Sequence, residues 1–283
     1  MQKISFDDLK NKVCVITGGG GVIGSSMALG LATLGVKIVI LDLNIEVSNQ
    51  VVEKIKTETQ TEAIAVAANV LNKDSLIQAK KIINEKLGMI DILINCAGGN
   101  SPQATTDLEE ITEKNSDNIS KSFFGLNIEG FQKVFDLNFN GTLLPTMVFT
   151  TDMLEQKKGV ILNVSSMNAF RPLTKIPAYS AAKSAINNFT EWLAVHLAKM
   201  NIRVNAIAPG FFLGEQNRFL LINKETGEPT PRAEKILKNT PMGRFGEFTE
   251  LQGTVAYLLS DISGFVTGVV IPVDGGFNAY SGV

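Results

Sequence analysis

The chain has 283 residues, 45% of them hydrophobic and 19% charged, with a formal net charge of −2. That balance excludes a disordered chain. The absence of any basic run leaves nothing with which to grip nucleic acid or an anionic membrane surface. No apolar stretch reaches the length of a membrane span, and the polar start MQKISFDDLKNK lacks a signal peptide's apolar segment, so the expected setting is cytoplasmic. Cys14 and Cys96 each sit in an apolar strand-like run and are expected to be reduced, buried side chains rather than a disulfide. No His, Cys or carboxylate cluster has metal-ligand spacing, and no catalytic metal is expected.

Short β-rich runs alternate with helical patterns along the chain. Strands are expected at 13–17, 37–41, 63–68, 90–95, 159–164, 203–207 and 268–273. Helices are expected at 25–34, 47–57, 76–87, 178–200 and 251–260. Continuous apolar strands alternating with helices indicate an α/β, doubly wound parallel sheet covered on both faces. No repeat or linker interrupts the rhythm, so residues 1–283 read as one domain without a separate substrate domain. Two long polar segments, near 101–133 and 211–241, break the pattern and read as binding loops.

The run TGGGGVIG joins the first strand to the first helix. Glycines let the backbone turn sharply and approach a ligand, and the helix that follows points free N–H groups at a phosphate. Gly18, Gly20, Gly21, Val22 and Ile23 are therefore candidate dinucleotide contacts. Asp42 ends the second strand, 18 residues after Gly24. A carboxylate there accepts hydrogen bonds from ribose hydroxyls and repels a 2′-phosphate, which points to NAD(H) over NADP(H). Asp42 could instead cap the next helix, a role for which Asn44 competes.

Tyr179 and Lys183 lie four residues apart in a helical stretch, on one face and one turn apart. An ammonium beside a phenol is expected to lower the phenol's pKa, suiting it to exchange a proton with a carbonyl or alcohol oxygen. The lone histidine, His196, lies 17 residues past Tyr179 and reads as a packing or interface residue.

Thr17-Gly18, Asp42, Asn95-Cys96-Ala97-Gly98, Ser166, Tyr179 and Lys183, in this order, resemble the short-chain dehydrogenase/reductase family from about residue 10 onward. The resemblance implies a Rossmann-type fold with a seven-stranded parallel sheet, NAD(H) as cofactor, and a homotetramer. It gives Ser166 the substrate carbonyl, Tyr179 the proton, Lys183 the nicotinamide ribose, and Asn138 the anchoring of a water near that lysine, with Asn140 as a rival. It also implies cofactor contacts at Asn69, Val70, Asn95, Ala97, Gly98, Pro209 and Gly210. Asn69 replaces the family's aspartate, and Val22 replaces its middle glycine, which suggests a shifted loop backbone.

The ends of strands four, five and six and the long loops supply the candidate pocket residues Gly99, Asn100, Met167, Asn168, Arg171, Lys175, Phe211, Phe212, Glu215, Gln216, Asn217 and Arg218. Asn100, Asn168, Arg171, Lys175 and Arg218 are the expected substrate contacts, a polar set suited to a hydroxy or keto sugar acid. The phrases CAGGNSPQATT, SSMNAFRPLTKIPAYSAAK, APGFFLGEQNRFL and PVDGGFNAYSGV resemble the family branch that interconverts D-mannonate and D-fructuronate. Gly214 stands where a small hydroxyl residue is expected. Alternatives are another sugar, gluconate or polyol dehydrogenase, a 3-oxoacyl carrier-protein reductase, or a catalytically silent nucleotide sensor.

Overall fold

The computed structural model describes residues 4–214, 218 and 220–282. Seven parallel strands form one sheet: β1 (Val13–Thr17), β2 (Lys37–Asp42), β3 (Ala63–Ala67), β4 (Ile92–Asn95), β5 (Gly159–Val164), β6 (Ile202–Pro209) and β7 (Val270–Val273). Their spatial order is β3-β2-β1-β4-β5-β6-β7. The chain works outward in one direction from β1 to β3, then returns to β1's other side with β4. The order therefore reverses between β1 and β4, and a crevice opens at their carboxyl ends.

Every residue of β1, β4 and β5 is buried, which is why these strands read as unbroken apolar runs. One apolar layer packs α1 (Val22–Ala32) against the sheet, the other packs α3 (Lys73–Leu87). Helix α2 spans Ile45–Thr59 and is capped by Asn44, whose side chain accepts from the N–H groups of Glu46 at 3.0 Å and Val47 at 3.3 Å. The competition for that cap thus goes to Asn44, and Asp42 is left at the strand end.

The spacing of the sequence leaves α4 (Ile128–Gln156) unmarked, although it is the longest helix among the described residues. Its buried face mixes Val134, Val148, Phe149 and Met153 with Gly130, Asn138, Gly141, Thr142, Pro145 and Thr146, so it carries no clear apolar stripe. It absorbs the end of the expected 101–133 loop. Helix α5 runs Pro177–Leu197, α6 Pro231–Lys238 and α7 Glu250–Leu259. Strand β7 starts at Val270 rather than 268 because Gly268 turns the chain with a φ of +79°.

A buried amide network ties the strands that flank the crevice. Asn95 Nδ2 donates to Asn163 Oδ1 and to Thr146 Oγ1, each at 2.9 Å, and Asn163 Nδ2 donates to Thr190 Oγ1 at 2.9 Å. This joins β4 and β5 to helices α4 and α5 in a buried region. Asn163→Ala strands two buried partners and opens a cavity, so it should destabilise the fold by about 2–4 kcal/mol. Urea denaturation checks this; a loss below about 0.5 kcal/mol, the scale of an ordinary surface change, would remove the network from the account.

Candidate active site

The crevice is a cleft of about 600 Å³. At one end lies the glycine turn. Gly18 has a φ of +63°, and a Cβ there would meet the Ala97 backbone at 2.7 Å. A Cβ on Gly24 would meet the Gly18 carbonyl oxygen at 2.6 Å. The turn closes by Gly21 N–H donating to Gly18 O at 3.1 Å, and Gly21 caps α1 with no side-chain acceptor. The first N–H groups of α1 thus lack a side-chain cap, and Val22, Ile23 and Gly24 line the cleft. Val22 is accommodated as the first residue of α1.

Asp42 lines the same cleft, with Oδ2 accepting from Gly20 N–H at 3.1 Å and Oδ1 from Asn44 N–H at 3.2 Å. Each carboxylate oxygen keeps a lone pair for a ribose hydroxyl. Gly20 itself acts through that bond and is not on the cleft wall. Asn69 and Val70 line the wall beside Asp42; Asn69 Oδ1 is engaged by Leu71 N–H at 2.9 Å. Ala97, Gly98, Pro209 and Gly210 also line it. The glycine cradle, the uncapped helix end and the carboxylate together fit an adenine dinucleotide.

Asn95 needs correction as a cofactor contact. Its side chain is 1% exposed and faces the amide network below the cleft, so it supports the strand rather than touching a ligand.

At the other end of the cleft stand Ser166, Tyr179 and Lys183. Ser166 leaves the end of β5 and caps a short turn, accepting from Asn168 N–H at 3.2 Å. Its hydroxyl is near enough to Tyr179 to favour the phenolate. Lys183 Nζ donates to Val164 O at 2.8 Å and lies 5.5 Å from the centroid of the Tyr179 ring. Asn138 is fully buried beside them: Nδ2 donates to Gly99 O at 2.7 Å and to Val134 O at 2.8 Å, and Oδ1 accepts from Gly99 N–H at 3.2 Å. A Cβ on Gly98 would lie 2.5 Å from Asn138 Oδ1 and 3.3 Å from Lys183 Nζ, so only glycine fits between them. Asn140 Nδ2 donates to Asp136 Oδ1 at 2.9 Å.

The expected pKa relation is overturned. Burial pushes the Tyr179 phenol up, the Ser166 hydrogen bond opposes that rise, and Cys96 adds to it. Burial also pushes the Lys183 ammonium down to about 8, against an opposing influence from Cys96. The ammonium is bonded to a backbone carbonyl and stands over the ring, and the loss of water outweighs its attraction for a phenolate. The Cys96 thiol, on the cleft wall, is itself pushed up to about 12 by burial.

The substrate candidates are not brought together. None of Asn100, Asn168, Arg171, Lys175 and Arg218 is on the cleft wall. Asn100 is exposed and donates to Thr105 Oγ1 at 2.8 Å. Asn168 is 5% exposed, with its backbone N–H donated to Ser166 Oγ. Arg171 and Arg218 are exposed, and Lys175 is half-buried. Glu215, Gln216 and Asn217 lie outside the described residues. The wall is instead apolar, with Phe211, Phe212, Phe248, Leu137 and Val164. Sequence reasoning missed Phe248 and Leu137. Gly214 is explained by the first of these: a Cβ there would meet the Phe248 ring at 2.7 Å.

A short chain dehydrogenase family model matches residues 12–221. The chain belongs to this family. A solved structure with bound NAD, provisionally named a D-mannonate oxidoreductase, from Haemophilus influenza, is 51% identical with a TM-score of 0.90 and covers 98% of each chain. An oxidoreductase of Bacillus subtilis is 50% identical over 278 residues, 98% of this chain and 98% of its own length. A 5-keto-D-gluconate 5-reductase of Escherichia coli is 32% identical over 268 residues, 95% and 96% of the two lengths. This short-chain dehydrogenase is an oxidoreductase that uses NAD(H). Among the described residues, no helix is long and apolar enough to cross a membrane.

The buried lysine makes stability depend on pH. Below about pH 8 both folded and unfolded lysine are charged, and the fold bears the full cost of the buried ammonium. As pH rises from about 8 toward the ordinary lysine value near 10.4, the folded state sheds the proton first and the unfolded state binds more protons. Stability should therefore rise by about 1–2 kcal/mol between about pH 7 and about pH 9.5 in wild type, and this increment should vanish in Lys183→Met. Urea midpoints for both proteins at both pH values test it; equal pH slopes would place the folded lysine near its ordinary value.

Proposed function

We propose that this enzyme interconverts a secondary alcohol and a ketone on a sugar acid, with D-mannonate and D-fructuronate as the pair. The observation that carries the reading is the convergence of Ser166, Tyr179 and Lys183 at the end of the cleft opposite Asp42. The substrate assignment draws support from the similarity to the provisionally named D-mannonate oxidoreductase along 98% of the chain. A cytoplasmic homotetramer is proposed with it, by family resemblance.

NAD(H), when bound, supplies or accepts the hydride. The chain's residues handle the oxygen. In reduction, Tyr179 Oη gives its proton to the carbonyl oxygen while Ser166 Oγ donates a hydrogen bond to the same atom. A phenol pushed up by burial stays protonated at neutral pH and is suited to this donor role. Alcohol oxidation needs the opposite state, and so is favoured by alkaline pH. Asn138 fixes the Gly98–Gly99 backbone beside Lys183. By family resemblance Lys183 would hold the nicotinamide ribose and Asn138 would anchor a water on the proton path. The Gly18–Ile23 turn would hold the cofactor's phosphates, Asp42 its adenosine ribose, Asn69 and Val70 its adenine, and Pro209 and Gly210 its nicotinamide.

The cations Arg171, Lys175 and Arg218 are the candidates for the substrate carboxylate, which Arg binds in bidentate fashion. The apolar wall of Phe211, Phe212 and Phe248 favours a second reading, a less polar ketone held against the rings. NADH oxidation with D-fructuronate, 5-keto-D-gluconate, a ketose and a 3-oxoacyl thioester separates the two. A preference for the keto acids supports the proposal, and a preference for the thioester overturns it. Tyr179→Phe should lose about 10²–10⁴-fold in turnover with NADH binding retained. Near-normal turnover in that variant would remove Tyr179 from the chemistry.

A further inference from the structure

The base of the first long loop closes over the tyrosine. Residues Pro102–Ala104 form a single turn whose Ala104 is fully buried. Ala104, Val134 of α4 and Ala178 of α5 form a small apolar cluster separate from the two main layers, and the Tyr179 ring packs against it. The turn is tied down on both sides. Thr106 N–H donates to Lys175 O at 2.9 Å, and Thr105 Oγ1 donates to Ser101 O at 2.8 Å. On its far side the backbone runs against the first turn of α4 at Gly130. A Cβ on Gly130 would meet Gln103 Cβ at 2.6 Å and Gln103 O at 2.9 Å. The nearest obstacles include backbone, so a side chain at 130 cannot be absorbed by a rotamer change alone. Gly130 has no positive φ, so its conformation does not call for glycine. The close approach does.

We propose that Gly130 is a positioning residue for Tyr179: its bare face lets the 102–104 turn seat Ala104 in the cluster that holds one side of the ring and keeps water from that side. The proposal rests on the catalytic reading of Tyr179 only for its kinetic consequence; the packing itself is independent of it. The titratable groups that influence the phenol or lie beside it are Cys96 at the end of β4 and Lys183 on α5, with the Ser166 hydroxyl at the end of β5. The 102–106 turn has no ionisable side chain, and Glu129 and Lys133 of the first turns of α4 are exposed. The turn therefore acts on the phenol through exclusion of water rather than through charge.

The test is Gly130→Ala. Alanine normally favours a helix over glycine, so an open site would show a raised thermal midpoint. Here the midpoint should fall. The phenolate absorbance titration of Tyr179, taken as the difference from a matched Tyr179→Phe protein, should move down by about one pH unit as water reaches the ring. Turnover should drop about tenfold, the scale of a misplaced catalytic group, while NADH affinity is unchanged. An unmoved Tyr179 titration would overturn the proposal. Should Gly130→Ala fail to fold, Ala104→Gly removes only the methyl that fills the cluster and should shift the titration the same way by less; no shift there overturns it equally. The titration needs no substrate, so it reports on the packing even if Tyr179→Phe turns over normally and the catalytic reading falls.

Discussion

The cleft exists because the chain leaves β1 and β4 in opposite directions along the sheet. Where two neighbouring parallel strands send their connections apart, their carboxyl ends are left uncovered, and backbone groups point into open space. All the chemistry of this protein is hung on that gap. The glycine turn leaves β1, the Cys96–Gly99 segment leaves β4, and Ser166 leaves β5 beside it. The amide network of Asn95 and Asn163 holds these strand ends at fixed separation from beneath. Close approach does the rest. Gly18, Gly24 and Gly98 each stand where a Cβ would strike backbone or an active-site atom.

Exclusion of water is the second theme, and it changes the meaning of the Tyr179–Lys183 pair. Two polar groups on one helix face suggest an ammonium that drags a phenol toward its anion. The folded chain buries Lys183 and half-buries Tyr179, and the loss of water disfavours either charge. The phenol is held in its neutral form, and the ammonium, still charged below about pH 8, gives up its proton more readily than an ordinary lysine. A protonated tyrosine is the form that the proposed donor role needs.

Much of this was legible from the residues. Strands β1, β4 and β5 gave themselves away because parallel strands buried on both faces read as continuous apolar runs. The nucleotide end was legible because turn chemistry is local: Gly18–Gly24 and Asp42 sit within one strand–helix–strand unit. Helix α4 was hard to see because small and polar residues interrupt the apolar ones on its buried face, with Pro145 inside it. The substrate contacts were least legible. Whether a residue on a long loop faces the cleft depends on distant packing, and Asn168, two residues past Ser166, is buried off the cleft wall. Phe248 gave no local signal, and its presence on the wall shows only through Gly214, which must stay bare to admit the ring.

The central claim is that one phenol meets the oxygen whose carbon faces the nicotinamide. A crystal structure with NAD(H) and a keto sugar acid tests it most directly. The account expects Tyr179 Oη within about 2.6–3.2 Å of the carbonyl oxygen, with the carbonyl carbon about 3–3.5 Å from the nicotinamide ring. A bound keto acid whose carbonyl oxygen is met by another donor, with Tyr179 out of reach, would contradict it.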